Sequence, residues 1–232
     1  MAESAFRTLP WDGLLNARQV LPGLIRSASL SALTPRGRQD LLTSGLGRII
    51  DLRNRSERDQ DPAPFEGQML YLNLPLLPYR NRALNTASVE ARTNAEHYCA
   101  VLDHVGNSLA TIFGAVLDAA PGKVLIHCHA GKDRTGLVTA LALELTGVSR
   151  RAIAADYVET DQHMQGMYAD ILARQPDPVK RRRLSAFLVS REQDILCALD
   201  HLDQTWGGVA TYLEAFGFSR KDQERLVTRL AG

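Results

Sequence analysis

His127-Cys128-His129-Ala130-Gly131-Lys132-Asp133-Arg134-Thr135-Gly136 is the stretch from which the fold can be read. Immediately before it, Val124-Leu125-Ile126 is a short apolar run behind Pro121-Gly122, which predicts a buried strand. Immediately after it, the run from Leu137 to Leu145 is apolar on nearly all sides. It predicts a buried helix that stops near Gly147 in a left-handed cap. A strand, a tight loop and a helix start in succession imply an α/β fold with the loop at the carboxyl end of a sheet strand. Such a loop gathers unpaired backbone N–H groups and the positive end of a helix dipole at one point, which favours a dianion.

The side chains of the stretch suit that anion. Cys128 precedes Arg134 by six residues, so a curled loop can put the thiol beneath a phosphorus atom and the guanidinium beside two of its oxygens. Arginine supplies a planar fork for bidentate phosphate binding that lysine cannot reproduce. The loop field, with Arg134 and Lys132, is expected to bring the Cys128 thiol from its free pKa of about 8.5 toward the range of roughly 3.5–7.5 found in such settings. The thiolate would then be a nucleophile at neutral pH. Thr135 is placed to hydrogen-bond the sulfur. His129, Ala130, Gly131, Lys132, Arg134 and Thr135 are the expected substrate-binding residues, and His127 is expected to support the backbone around Cys128.

Two other chemistries fit less well. A nucleotide-binding P-loop requires a glycine five positions before Gly131 and a Ser or Thr after the lysine, but Ile126 and Asp133 stand there. His127, Cys128 and His129 leave a strand in alternating directions and are poorly set to converge on a metal ion. Neither a metal nor an organic cofactor is expected.

The rest of the chain completes the class. Gly47–Leu52 and Met69–Leu74 read as strands, and apolar positions at helical spacing between Asn94 and Ala119 predict one long helix. With helices after residue 136, the expectation is a three-layer α/β sandwich with a mostly parallel central sheet, built as one domain over residues 1–232. The chain has 232 residues, of which 45% are hydrophobic and 23% charged, enough for a sizeable core. A formal net charge of +1 provides no overall field toward nucleic acid or membrane. Three cysteines argue against a disulfide framework and for a reducing compartment. Without a basic-apolar leader or an 18-residue apolar run, the expectation is a monomeric cytoplasmic protein with no stable membrane insertion. Secretion by a route that reads no leader stays open.

His-Cys-x-x-Gly-x-x-Arg-Thr resembles the signature of the protein-tyrosine-phosphatase superfamily. The longer HCHAGKDRTG is similar to the bacterial tyrosine and lipid phosphatases of the mycobacterial phosphatase B type. Supporting segments are Leu24-Ile25-Arg26-Ser27-Ala28 with Leu30 and Leu33-Thr34, and Ile49-Ile50-Asp51-Leu52-Arg53 with Ser56-Glu57-Arg58. Gly147-Val148 with Ala155-Asp156-Tyr157, and Gly207-Gly208-Val209 with Tyr212-Leu213, extend the likeness over roughly residues 16–230. One departure is visible: Asn16-Ala17-Arg18-Gln19-Val20 runs directly to Pro22-Gly23, without the aspartate and glycine pair that many members carry. No catalytic role passes to Arg18.

The resemblance implies a phosphoric monoester hydrolase acting on phosphotyrosine, with phosphoserine/threonine or phosphoinositides as alternatives. A non-catalytic phosphate-binding module is the reading from another class. The general acid is Asp133, inside the loop, or Asp51, at a strand end; Asp51 could equally serve as partner to Arg53. Asp156 reads as a solvated or packing residue. Cys99 and Cys197 read as core positions that could resolve an oxidised Cys128 if close to it. Lys132 points toward substrates with several phosphates, a role that related lipid phosphatases imply. Arg80 and Arg82, in a loop bounded by Pro75 and Pro78, and the run Lys180-Arg181-Arg182-Arg183 could meet acidic head groups. Family members place a helical lid in this part of the chain, here residues 160–190.

Overall fold

The computed structural model describes residues 6–77 and 80–232. Pro78, one of the two expected loop boundaries, lies outside the described residues. The strands are β1 (Arg7–Thr8), β2 (Arg18–Leu21), β3 (Leu24–Ser27), β4 (Leu46–Asp51), β5 (Tyr71–Asn73) and β6 (Lys123–His127). The helices are α1 (Pro35–Thr43), α2 (Arg55–Gln60), α3 (Arg82–Glu90), α4 (Asn94–Leu102), α5 (Gly106–Leu117) and α6 (Asp133–Leu145). They continue with α7 (Arg150–Ala173), α8 (Pro178–Leu188), α9 (Glu192–Trp206), α10 (Val209–Ala215) and α11 (Arg220–Ala231).

The six strands form one sheet in the order β1-β2-β3-β6-β4-β5. Strands β3, β6, β4 and β5 run parallel, while β1 and β2 add an antiparallel edge. β6 is central and buried along Val124–His127, as an apolar run covered on both faces should be. Successive side chains point to opposite faces, and the two cores divide accordingly. Leu24, Ile50, Val124 and Ile126 join the larger core with α4, α5, α6 and α9–α11. Ile25, Ile49 and Leu125 join the smaller one with Trp11, Leu30, Leu41 and Phe65. The sheet is thus the middle layer of an α/β sandwich.

Register fixes where the site lies. His127 pairs with Ser27 on one side and Asp51 on the other, so β3, β6 and β4 end at one level. The loop 128–132 springs from that edge into α6, whose residues Thr135–Leu143 are all buried. The helix is capped by Thr146, followed by Gly147 at φ +78, where the Gly147 and Val148 N–H groups donate to the carbonyls of Glu144 and Leu143.

Two expected elements differ. The strand read over 69–74 is only Tyr71–Asn73, and Met69 is fully exposed. The single helix read over 94–119 is two, α4 and α5, bent by 80°. The break falls at residues 103–105, and α5 then starts at Gly106, packed so closely on Phe216 that a Cβ there would lie 2.2 Å from the ring. No single described helix is long and apolar enough to cross a membrane; α4 and α5 qualify only as this bent pair.

Candidate active site

The loop is built for close approach. Gly131 has φ +69, and a Cβ there would fall 2.3 Å from the Ser27 carbonyl oxygen, so a side chain is excluded on both counts. The loop's carbonyls face away from its centre and are held from outside. Asn16 Nδ2 donates to the Ala130 carbonyl at 3.0 Å, the Ser29 N–H to that of His129 at 2.8 Å, and Arg26 to that of Gly131. Among the described residues, none of the backbone N–H groups from His129 to Thr135 has an intramolecular partner. Free donors of this kind at a helix start form an anion cradle.

Cys128 is buried at 3% exposure at the floor of a cavity of about 250 Å3. His129, Ala130, Lys132, Asp133, Arg134 and Glu57 form its polar wall. Met167, Tyr168 and Ile171 of α7, with Phe187 and Leu188 of α8, form an apolar roof. Five residues of the segment 160–190 thus line the same cavity as the loop.

Arg134 is aimed before any substrate arrives. Its Nη1 and Nη2 each donate to Glu57 at 2.6 Å. Glu57 is itself fixed at the start of α2, where it accepts the Asn54 N–H in a capping box. Two of five guanidinium N–H bonds are used, leaving three for an anion. Burial would lower the Arg134 pKa, but the charges of Cys128 and Glu57 outweigh it and raise it above the ordinary value. Burial would raise the Glu57 pKa, and Arg134 holds it below the usual carboxylate range instead.

Asp133 opens α6 and is the half-exposed carboxylate of the cavity. Its Oδ1 accepts from Tyr98 Oη at 2.5 Å, and Lys132 Nζ lies 3.3 Å away. Tyr98 Oη is in turn 2.6 Å from Tyr157 Oη, a buried chain from α7 through α4 to the loop. Burial and Asp133 push both phenol pKa values up, so these hydroxyls stay protonated.

Asp51 occupies the other position considered for it. It has no exposed surface, and Arg53 binds its carboxylate through Nε and Nη2 at 2.8–3.1 Å while Tyr71 Oη donates at 2.7 Å. Burial would raise its pKa, but His127 and Arg53 hold it below the carboxylate range. A carboxylate without a proton or access to the cavity cannot serve as a proton donor. His127 is fully buried, with Nδ1 3.2 Å from the Cys128 carbonyl and Nε2 3.8 Å from Asp51. Burial lowers its pKa against the pull of Asp51, which favours the neutral ring.

Several expectations need correction. Lys132 is buried and its ammonium donates to the Phe187 carbonyl at the end of α8, so it ties the loop to the roof instead of standing free beside Arg134. Thr135 Oγ1 is buried without a partner, so the bond to the Cys128 sulfur is not made in this geometry. Of the two readings of Asp156 the packing one holds and the solvated one does not: at 2% exposure it takes Arg18 Nε at 2.6 Å and Arg26 Nη1. Arg26 therefore bridges Asp156 and the Gly131 carbonyl, and the Asn16-Arg18-Arg26-Asp156 cluster holds the loop from behind. Cys99 and Cys197 lie beside each other, Sγ of Cys99 3.9 Å from the Cys197 carbonyl, and neither lines the Cys128 cavity. Arg80 and Arg82 are exposed, as is Lys180–Arg183 on α8. Residues given no role from sequence, namely Glu57, Tyr98, Arg26 and Asn16, complete the site. Two local signals were available: Arg26, a charge in a buried strand, and Glu57, three residues after Asn54 at capping-box spacing.

The model of the tyrosine phosphatase family matches residues 12–232. The chain belongs to that family. The phosphatase is 29% identical to the triple specificity protein phosphatase PtpB of Mycobacterium tuberculosis, over 98% of this chain and 100% of that one. It is 28% identical to a tyrosine-protein phosphatase of Nostoc commune, over 89% of this chain and 73% of the relative. Among solved structures, that of TpbA from P. aeruginosa aligns at a TM-score of 0.41 and 17% identity, covering 85% of this chain and 98% of that chain. The phosphatase is thus an enzyme for phosphorylated substrates.

Proposed function

We propose that this phosphatase hydrolyses phosphotyrosine in proteins through a cysteinyl-phosphate on Cys128. The observation that carries the reading is the convergence, in one cavity, of Cys128, the free N–H groups of residues 129–135, Arg134 and Asp133. The Cys128 thiolate attacks phosphorus, forming the S–P bond as the bond to the leaving oxygen breaks. Arg134 and the loop amides hold the non-bridging oxygens, where charge is concentrated in the transition state. Asp133 passes a proton to the leaving oxygen; Tyr98 and Lys132 engage Oδ1, which leaves Oδ2 to carry it. Asp133 then takes a proton from water as the water oxygen attacks phosphorus, releasing phosphate and restoring the thiolate.

The roof of Met167, Tyr168, Ile171, Phe187 and Leu188 suits an aromatic leaving group, which supports phosphotyrosine. The name of the mycobacterial relative, a triple specificity phosphatase, supports a range reaching phosphoserine/threonine, with phosphoinositides as the lipid alternative. Hydrolysis of p-nitrophenyl phosphate is expected to proceed in EDTA, to be blocked by vanadate and to be lost in Cys128→Ser. No turnover by pure wild-type protein would overturn the reading. A panel of phosphopeptides and phosphoinositides then ranks the substrates.

A further inference from the structure

We propose that Tyr168 is a further catalytic residue, whose hydroxyl donates a hydrogen bond to a phosphoryl oxygen of the substrate and of the cysteinyl-phosphate. The proposal rests on the cysteine-dependent reading above and adds a donor from the roof to those of the loop. Tyr168 Oη is buried and has no hydrogen-bond partner, and among the residues lining the Cys128 cavity it is the one side chain with such an atom. A buried hydroxyl without a partner is costly, and a site that gains a ligand there removes the cost.

Helix α7 places this hydroxyl with some rigidity. Tyr157, Thr160, Met164 and Tyr168 recur at i, i+3, i+7 and i+11, so they share one face of the helix. The first half of the helix is locked behind the loop by Asp156 on Arg18 and Arg26, and by Tyr157 on Tyr98. Twelve residues from Asp156 to Tyr168 carry the helix roughly 18 Å, from behind the loop to above it. Midway, Asp161 accepts the Ser190 N–H at 3.0 Å and ties α7 to the segment after α8.

The group is suited to donation. Burial, then the charges of Asp133, Asp161 and Cys128, raise the phenol pKa above its ordinary value, so Tyr168 keeps its proton. A protonated phenol in the lining of an anion site offers an O–H and no competing charge. Its neighbours Met167, Ile171, Phe187 and Leu188 are apolar, so Tyr168 is the one side-chain donor that α7 and α8 bring to the cavity lining.

Tyr168→Phe tests this because it keeps the ring and removes one oxygen. The expected result is a fall in kcat/KM for p-nitrophenyl phosphate of about 10- to 100-fold, the range for a hydrogen bond to a charged group. Vanadate inhibition should weaken in parallel, with the thermal midpoint unchanged. A packing role alone would leave both kinetic readouts at wild-type values, since phenylalanine fills the same space. Values within twofold of wild type for both kcat/KM and vanadate inhibition would overturn the proposal. Wild-type turnover and its loss in Cys128→Ser, measured alongside, report on the cysteine mechanism separately, so the two readings can fail independently.

Discussion

Asp156→Asn removes one negative charge and almost nothing else. The carboxylate is 2% exposed, and its partners Arg18 and Arg26 are exposed by 0% and 1% in their side chains. Arg18 also gives Nη2 to the Asp156 backbone carbonyl at 2.6 Å, a bond the substitution spares. After the change, two guanidinium groups share a dry site with no anion between them. Burial, then the like charge of Arg26, bring the Arg18 pKa down to about 10 even with Asp156 present. Breaking a buried ion pair by removing one partner costs about 3–5 kcal/mol, and full burial leaves no solvent screening to reduce it. Against a total stability of about 5–15 kcal/mol, that is a large share. Urea unfolding followed through Trp11 and Trp206 should show the midpoint drop at constant m. The turnover rate should fall as well, because Arg26 loses the anion that aims it at the Gly131 carbonyl.

The same residue makes a pH prediction with a definite sign. Burial would raise the Asp156 pKa, but Arg26 and Arg18 outweigh it and hold the folded value below the ordinary one. Its contribution is therefore fully present above the unfolded value of about 3.9 and is lost as pH falls toward the folded value. The stability gap between wild type and Asp156→Asn should be constant from neutral pH to about 5 and close below about 4. A loss under about 1 kcal/mol at pH 7, or a gap that does not narrow in acid, would refute the buried-triad reasoning.

Two further predictions concern the cavity wall. Glu57→Gln retains one acceptor for Arg134 where Glu57 has two, and the pair is partly exposed, so kcat/KM for p-nitrophenyl phosphate should fall about tenfold. Wild-type kinetics would mean that Arg134 is positioned without it. Asp133→Asn should slow alkyl phosphates by about 100-fold or more and aryl phosphates much less, because a poor leaving group needs the proton most. Equal slowing of the two would remove Asp133 from the acid role.

What the sequence disclosed was local. Lys123–His127 and the following loop and helix are contiguous, and their apolar runs and Cys-Arg spacing could be read directly. Strands alternating with helices also made the mostly parallel sheet legible, but not the strand order β1-β2-β3-β6-β4-β5, which depends on pairings between distant segments. What stayed hidden depends on residues far apart in the chain. Lys132 looked like a free cation because Phe187, which captures its ammonium, lies 55 residues away. Asp156 read as a solvated or packing residue, and its partners stayed hidden because Arg18 and Arg26 reach it across more than 100 residues. The bend between α4 and α5 was hidden in the same way, since apolar spacing continues through it.

The covalent intermediate is the centre of the proposed chemistry, and trapping it is the most direct test. Wild-type enzyme mixed with excess p-nitrophenyl phosphate, quenched in acid within one turnover and digested for mass spectrometry, should carry a phosphoryl group on Cys128. The adduct should be absent from Cys128→Ser treated in the same way. A phosphoryl group on another residue, or turnover by wild-type enzyme with Cys128 never modified, would contradict the mechanism.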